Sequence, residues 1–251
     1  MDISIILPAL LAGCAVLLSH VPLGREVLSR GIIFIDLAVA QFAGFGIILA
    51  SSLGFSTQGI MIQAFALGGA LIGALMLLAT EKVLKQYQEA GIGCLFVLTA
   101  TASILLLAKN PHGGEQLQTI LVGQILWVEW SQIVLPFLTG LLAVMLYFLK
   151  NDLFKGHFFY LLFAVAITQS VQLLGVYLVF ATLIIPALAV VRQQSRVRSF
   201  YYSLLIGALG YALGLILSSI FDLPSGAVIV WSLMLLAMLY SLFSKFVSLK
   251  T

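Results

Sequence analysis

The sequence predicts an all-α polytopic membrane protein in which residues 1–251 form one transmembrane domain. Hydrophobic residues make up 62% of the chain and charged residues only 8%, whereas a soluble domain carries about 25% charged residues. The mean hydropathy is +1.18. Apolar runs of about 20 residues, the length that crosses a bilayer as a helix, recur along the chain. The polar segments between them leave no room for a soluble domain.

The apolar runs predict eight or nine transmembrane helices. A run at 158–191 is too long for one ordinary span and short for two, and a piece at 119–128 is too short to cross. The other runs each fit one span: residues 3–19, 32–52, 59–80, 91–108, 131–149, 200–221 and 225–247. The count therefore depends on whether 158–191 crosses once or twice.

The basic residues favour nine spans with an external N-terminus and a cytoplasmic C-terminus. Arginines that directly follow an apolar run mark the cytoplasmic side, as Arg192, Arg196 and Arg198 do. If 158–191 crosses twice, turning near 173–175, only Lys109 falls outside. The others fall inside: Arg25, Arg30, Lys82, Lys85, Lys150, Lys155, Lys245 and Lys250. This sidedness accounts for the net charge of +3 without a nucleic-acid partner.

Asp36 is the first candidate for a transport site, because a carboxylate inside an apolar span is costly and often marks an ion pathway. Its structural alternative is pairing with Arg30 or with a neighbouring helix. Gln41, on the same predicted helix, offers an oxygen ligand or a hydrogen bond between helices. On a regular helix, two side chains five residues apart lie about 140° apart around the helix axis, so Asp36 and Gln41 do not share one face.

A second candidate is the external loop KNPHGGEQLQ, which contains His112 and Glu115. A histidine and a carboxylate beside two glycines offer ligands to an incoming divalent cation, and a solvated turn is the simpler interpretation. His20 and His157 are predicted at inner membrane edges. The sequence contains no phosphate-binding loop, nucleophile elbow or zinc-protease helix, so we expect no enzymatic activity.

Two C-terminal motifs carry a resemblance to a known family. They are GVYLVFATLIIPALAVV from Gly175 and GLILSSIFDLPSGAVIV from Gly214, with weaker echoes in PLGREVLSRG, EAGIGCLFV and VGQILWV. Together they resemble the membrane permease subunit of ATP-binding-cassette (ABC) importers for zinc, manganese and iron. The resemblance spans nearly the whole chain in the family's order.

The resemblance implies a permease homodimer around a central path in a bacterial inner membrane. It also implies two cytoplasmic ATPase subunits, an external protein that delivers the metal, and no permanently bound cofactor. A divalent metal ion is then the cargo, with zinc expected first and manganese second. Residues 187–199 are expected to dock into the ATPase, and the residues assigned to this coupling are Pro186, Ala187, Arg192, Gln193, Gln194, Ser195, Arg196 and Arg198.

The sequence departs from the family pattern around Asp36. Where the family has two arginines, this chain has Arg30 and Gly31. Asp36 falls on the family's glycine, Leu37 on its aspartate and Gln41 on its histidine. An amide oxygen suits harder ions better than zinc. Two alternatives remain: a permease for a metal chelate or other small solute, and a non-transporting membrane scaffold. An ion-gradient carrier needs further intramembrane acids, and the sequence places only Asp36 there.

Overall fold

The chain is helical through the residues that the computed structural model describes, which are 3–55, 59–108, 110–150, 152, 154, 156 and 158–248. Short 3-10 turns lie at Lys85–Tyr87 and Ile125–Trp127, and the described part of the chain contains no strand. In chain order the helices are α1 (Ile3–Arg30), α2 (Ile35–Ser52), α3 (Ile60–Leu84), α4 (Gln88–Leu107), α5 (Gly113–Val122), α6 (Trp130–Leu149), α7 (Phe158–Leu174), α8 (Val176–Ala189), α9 (Arg196–Phe221) and α10 (Ser225–Ser248). The predicted all-α fold is confirmed.

Every helix named above except α5 is a candidate to cross the membrane. Six stretches have the length and composition of membrane spans, and one of them, residues 60–107, contains both α3 and α4. The helices α7 and α8 are shorter, with 17 and 14 residues. Helix α5 has 10 residues and rises about 15 Å, roughly half the hydrocarbon thickness. The prediction that 119–128 does not cross is consistent with this length.

The run at 158–191 forms two helices that return to the same end of the bundle. Gly175 breaks it with φ 75°, a conformation that favours glycine. Its backbone packs directly on the backbone at Gly123, where neither residue has room for a Cβ atom. At the other end, Arg30 lies 4.3 Å from the centre of the Phe159 ring, and Arg25 donates to the Gln193 carbonyl at 3.4 Å. The run therefore folds as a helical hairpin, which is the shape that two crossings require, and the number of spans stays a prediction.

Further contacts join segments that were predicted to share a side. Tyr160 donates its hydroxyl to Glu81 at 2.8 Å, and Arg196 lies 4.3 Å from the centre of the Tyr147 ring. Both contacts lie at the predicted cytoplasmic end. Lys109, Lys155, His157 and Lys250, together with the side chain of Lys245, lie outside the described residues, so their sidedness stays a prediction.

Several helix ends differ from the predicted spans. Helix α1 continues eleven residues beyond 19, because its polar residues find partners inside the bundle: Arg30 pairs with Glu26 at 2.9 Å. His20 was predicted at a membrane edge, and it is fully buried with Nδ1 3.1 Å from the Ser19 hydroxyl. Pro186 does not end its helix. Helix α8 continues to Ala189, and the Ser203 hydroxyl donates to the Pro186 carbonyl at 3.0 Å.

Candidate functional site

Asp36 lies in the first turn of α2 and is only 1% exposed. Within the described residues neither carboxylate oxygen has a hydrogen bond of acceptable geometry, although the backbone N–H groups of Asp36 and Leu37 are near. The positive end of the helix dipole eases the burial of this charge. The predicted alternative partner, Arg30, instead contacts Glu26 and Phe159. Asp36 is thus a buried acid whose two carboxylate oxygens have no hydrogen-bond partner among the described residues.

Glu89, in the first turn of α4, is a second acid at the start of α2. One of its oxygens accepts from the Phe34 backbone N–H at 3.2 Å. The other oxygen is buried without a hydrogen-bond partner among the described residues. The Phe34 contact brings Glu89 to the start of α2, where Asp36 lies. Sequence reasoning missed this residue, because a glutamate beside a polar cytoplasmic loop is ordinarily solvated.

Gln41 is buried, with 5% of its surface exposed, and it does not join Asp36. Helix α2 runs from Ile35 to Ser52, so the predicted angle of about 140° between the two side chains holds. Gln41 lies nearer the helix face of Gly44, whose Cα packs against Ile120 of α5. The two residues therefore face different parts of the bundle.

A cavity of about 760 Å³ lies between α3, α5, α6 and α7, on the side opposite the cytoplasmic contacts. Its polar lining comes from Gln63, Glu129, Gln132, Gln169 and Gln172. The Gln172 amide nitrogen is buried without a partner in the described part of the chain. The sequence did not reveal this cavity, because its amides are spread over three separate helices and become neighbours only in the fold.

Helix α2 connects this cavity with the acid. Ile47 lines the cavity and follows Asp36 by eleven residues, which places it about 16 Å further along the helix and within about 20° of the same face. Ala40 and Ala43 lie between them on this face, at 1% and 0% exposure. The arrangement is a polar cavity and a buried acid on one helix face, with small packed residues closing the space between them.

His112 and Glu115 are brought together at the start of α5. The His112 Nδ1 atom lies 3.3 Å from a Glu115 carboxylate oxygen, and the two side chains are 79% and 82% exposed. In the parts of the chain that the structure describes, no group of three histidine, cysteine, aspartate or glutamate residues has the arrangement of a metal site. The pair offers two ligands to a passing ion and no enclosed site.

The predicted coupling segment forms a turn between α8 and α9, and only part of it faces outward. Arg192, Gln194 and Arg198 are exposed. The Gln193 carbonyl is held by Arg25, Arg196 lies over Tyr147, and Ser195 caps α9 by accepting from the Arg198 backbone N–H at 3.4 Å. Pro186 and Ala187 are buried inside α8. A groove of about 570 Å³ separates this turn from the end of α10.

Comparisons with known proteins agree with this architecture. The profile of the ABC 3 transport family matches residues 2–159 and 149–244. PsaBC from Streptococcus pneumoniae, solved in complex with a Fab, shares 19% identity with a TM-score of 0.72, over 95% of this chain and 91% of that chain. An inward-facing metal-chelate type ABC transporter shares 17% identity with a TM-score of 0.64, over 98% and 86%. A comparison with curated proteins finds no match.

Proposed function

The chain belongs to the ABC 3 transport family, and from this premise we propose that it moves divalent transition-metal ions inward, driven by ATP that separate subunits hydrolyse. It is a multi-pass permease subunit of the bacterial inner membrane. The observation that carries the cargo proposal is Asp36, a buried acid with both oxygens uncommitted. An anionic group at this position attracts a cation and repels anions.

The proposed path begins at the external cavity and follows one face of α2 to Asp36. The cavity offers amide and carboxylate oxygens to an ion that is losing its water shell. Asp36 then draws the ion toward the cytoplasmic end, after the packed alanines separate. Gln41 contributes its oxygen only where another helix or a second permease copy lines the path, since it points away from Asp36. His112 and Glu115 form an exposed receiving point outside the path.

The identity of the metal is part of this proposal. Zinc is the first candidate from the family resemblance, and manganese is the second. The ligands that the path supplies around Asp36 are oxygens, which suit manganese better than the softer imidazole and thiolate sites preferred by zinc. A direct comparison of uptake decides between these metals.

The proposed partners are those expected for a permease of the ABC 3 transport family. The described residues form helices and short turns, so ATP hydrolysis is assigned to separate subunits. ATPase subunits bind the turn at 187–199, where Arg192, Gln194 and Arg198 face outward beside the groove next to α10. An external metal-binding protein delivers the ion, and a second permease copy completes a homodimer. ATP-driven movement at the turn reaches α1 through the Arg25–Gln193 contact.

A metal chelate is the second candidate cargo. The cavity volume of about 760 Å³ exceeds what a bare ion needs, and small-molecule sites commonly have about 300–1,000 Å³. A chelate would meet the amides as hydrogen-bond partners. It would not require a negative charge at Asp36, and this difference separates the two candidates.

The test is ATP-dependent uptake in proteoliposomes that contain the permease with its cognate ATPase and binding protein. Zinc, manganese and iron are supplied as free ions and, in parallel, as chelates. We expect uptake of at least one free ion, and its loss in Asp36→Ala with the assembly intact. Uptake of chelates alone, unchanged by Asp36→Ala, favours the second candidate. The absence of uptake and of ATPase binding favours a scaffold.

A further inference from the structure

We propose that Glu89 and Asp36 together hold one divalent cation at the cytoplasmic end of the path, as the last site before release. The proposal rests on the proposed function for the claim that this cation is cargo. The geometry of the two carboxylates carries the rest. Glu89 is thereby assigned a direct role in binding the ion.

The two acids come from different helices and leave three oxygens available. Both Asp36 oxygens and the Glu89 Oε2 atom are buried without hydrogen-bond partners among the residues described. The second Glu89 oxygen is fixed by the Phe34 backbone N–H at 3.2 Å. Because Phe34 precedes Asp36 by only two residues, this bond holds the start of α4 against the start of α2 and brings the Glu89 carboxylate to the helix end that carries Asp36.

Such an arrangement is unfavourable unless the helix dipole, a bound proton or a cation offsets the two charges. Two buried carboxylates repel each other, and each loses its water shell. Arg30, the nearby arginine of α1, pairs with Glu26 at 2.9 Å, and its guanidinium lies over the Phe159 ring. A cation between the three free oxygens removes both costs at once.

The ligand chemistry indicates a hard or intermediate divalent ion. Three carboxylate oxygens from two residues leave an octahedral ion with positions for water. A site of this kind binds without the tight closure of a structural metal site, as release to the cytoplasm requires. The position also fits release, since Glu89 follows the cytoplasmic turn Lys85–Tyr87.

The structure offers a matched control in Glu81, a second acid at the cytoplasmic end. It belongs to α3 and accepts a hydrogen bond from Tyr160 at 2.8 Å, so its carboxylate has a partner of its own. Glu81→Gln therefore makes the same chemical change at the same side of the bundle. It removes a charge without touching the proposed cation site.

The experiment measures binding of Mn²⁺ to the purified permease–ATPase complex, from the loss of the free-ion electron paramagnetic resonance signal, with Zn²⁺ as competitor. Asp36→Asn and Glu89→Gln should each weaken Mn²⁺ binding at least about tenfold, the lower end of the loss seen for groups that merely support a ligand. The double variant should bind Mn²⁺ more weakly than either single variant, because each acid supplies ligand atoms and charge to the same ion. Glu81→Gln should bind as wild type.

The proposal is overturned if either single variant binds Mn²⁺ with wild-type affinity. Glu89→Gln keeps an amide oxygen for the Phe34 N–H, so it carries the test even if Asp36→Asn fails to fold. Uptake separates this result from the function. If the wild type takes up metal but both variants bind Mn²⁺ normally, the proposed site is wrong and the transport function stands. If both variants lose Mn²⁺ binding but the wild type takes up no free metal, the site stands and the transport function is wrong.

Discussion

Asp36 and His112 show how differently two candidate metal ligands are held. Asp36 is packed at 1% exposure with no hydrogen-bond partner in the described structure, whereas the His112 side chain is 79% exposed. In the proposed path, a substitution at Asp36 changes a buried group that takes the ion out of water. A substitution at His112 changes a group that meets the ion in water, where each contact is weak.

His112→Ala is therefore expected to act on capture of the metal and leave turnover unchanged. An exposed ion pair contributes at most about 1 kcal/mol, so the KM for metal uptake should rise by no more than about fivefold at an unchanged maximal rate. Initial uptake rates measured across metal concentrations test this. Glu115→Gln should produce the same shift, and Asp222→Asn serves as the control, since Asp222 is an exposed acid at the end of α9 and does not line the cavity. An unchanged KM in both His112→Ala and Glu115→Gln returns the loop to an ordinary turn.

At the residue scale, the sequence could reveal Asp36 and could not reveal Glu89. A carboxylate inside an apolar run is conspicuous without any structure. Glu89 lies eight residues after Glu81 in a polar segment, and only the packing of α4 against α2 shows that its Oε2 atom is buried. His20 was misplaced for a related reason, since the local sequence does not show that α1 continues to Arg30.

The turn between α8 and α9 divides its three arginines between two tasks. Arg196 lies over the Tyr147 ring at 4.3 Å and so packs the turn against α6. Arg192 and Arg198 are exposed. Of the residues predicted to couple to the ATPase, these two arginines and Gln194 are exposed, while Pro186 and Ala187 are buried inside α8.

We therefore expect Arg192→Glu combined with Arg198→Glu to weaken ATPase binding at least about tenfold, because reversed charge at a docking surface creates like-charge repulsion. Co-purification and the stimulated rate of ATP hydrolysis measure the effect. Lys82→Glu combined with Lys85→Glu makes the same charge change on exposed residues of another cytoplasmic turn. Equal ATPase binding in the arginine variant and in wild type contradicts a docking role for this turn.

At the element scale, apolar length predicted where helices cross and could not predict where they end. A span ends in the sequence where polar residues begin, whereas a helix continues as long as those residues find partners. Glu26 and Arg30 find each other within α1. Pro186 lies three residues before the end of α8, where its carbonyl is among the last four of the helix, and the Ser203 hydroxyl supplies the missing donor.

The whole molecule is organised by contacts at its two ends. At one end Arg25, Arg30, Glu81 and Tyr160 join α1, α3 and α7 to the turn after α8. At the other end the backbones of Gly123 and Gly175 touch, which ties α5 to the α7–α8 turn. Charge counting predicts a two-sided arrangement, because nearly all basic residues can be placed on one side, and the contacts of Arg25 and Arg30 at one end agree with it. The external cavity escaped prediction because uncharged glutamines carry no such signal.

The nine-span topology makes a prediction that an eight-span topology reverses. If 158–191 crosses twice, residue 114 is external and residue 194 is cytoplasmic. If it crosses once, the two residues lie on the same side. Both are suitable reporters: no atom lies within 4 Å of a Cβ built at Gly114, and Gln194 is exposed. Cys14 and Cys94 are free thiols and are first replaced by serine and alanine, respectively.

In this background, a membrane-impermeant maleimide should label Gly114→Cys in intact spheroplasts, because α5 lies at the external end with Gly123 against Gly175. It should label Gln194→Cys only after the membrane is made permeable, because Arg25 holds the adjacent Gln193 at the cytoplasmic end. Labelling of both positions in intact spheroplasts means that 158–191 crosses once. That outcome would also remove the turn at 187–199 from the ATPase side, so this one measurement bears on both the topology and the coupling proposal.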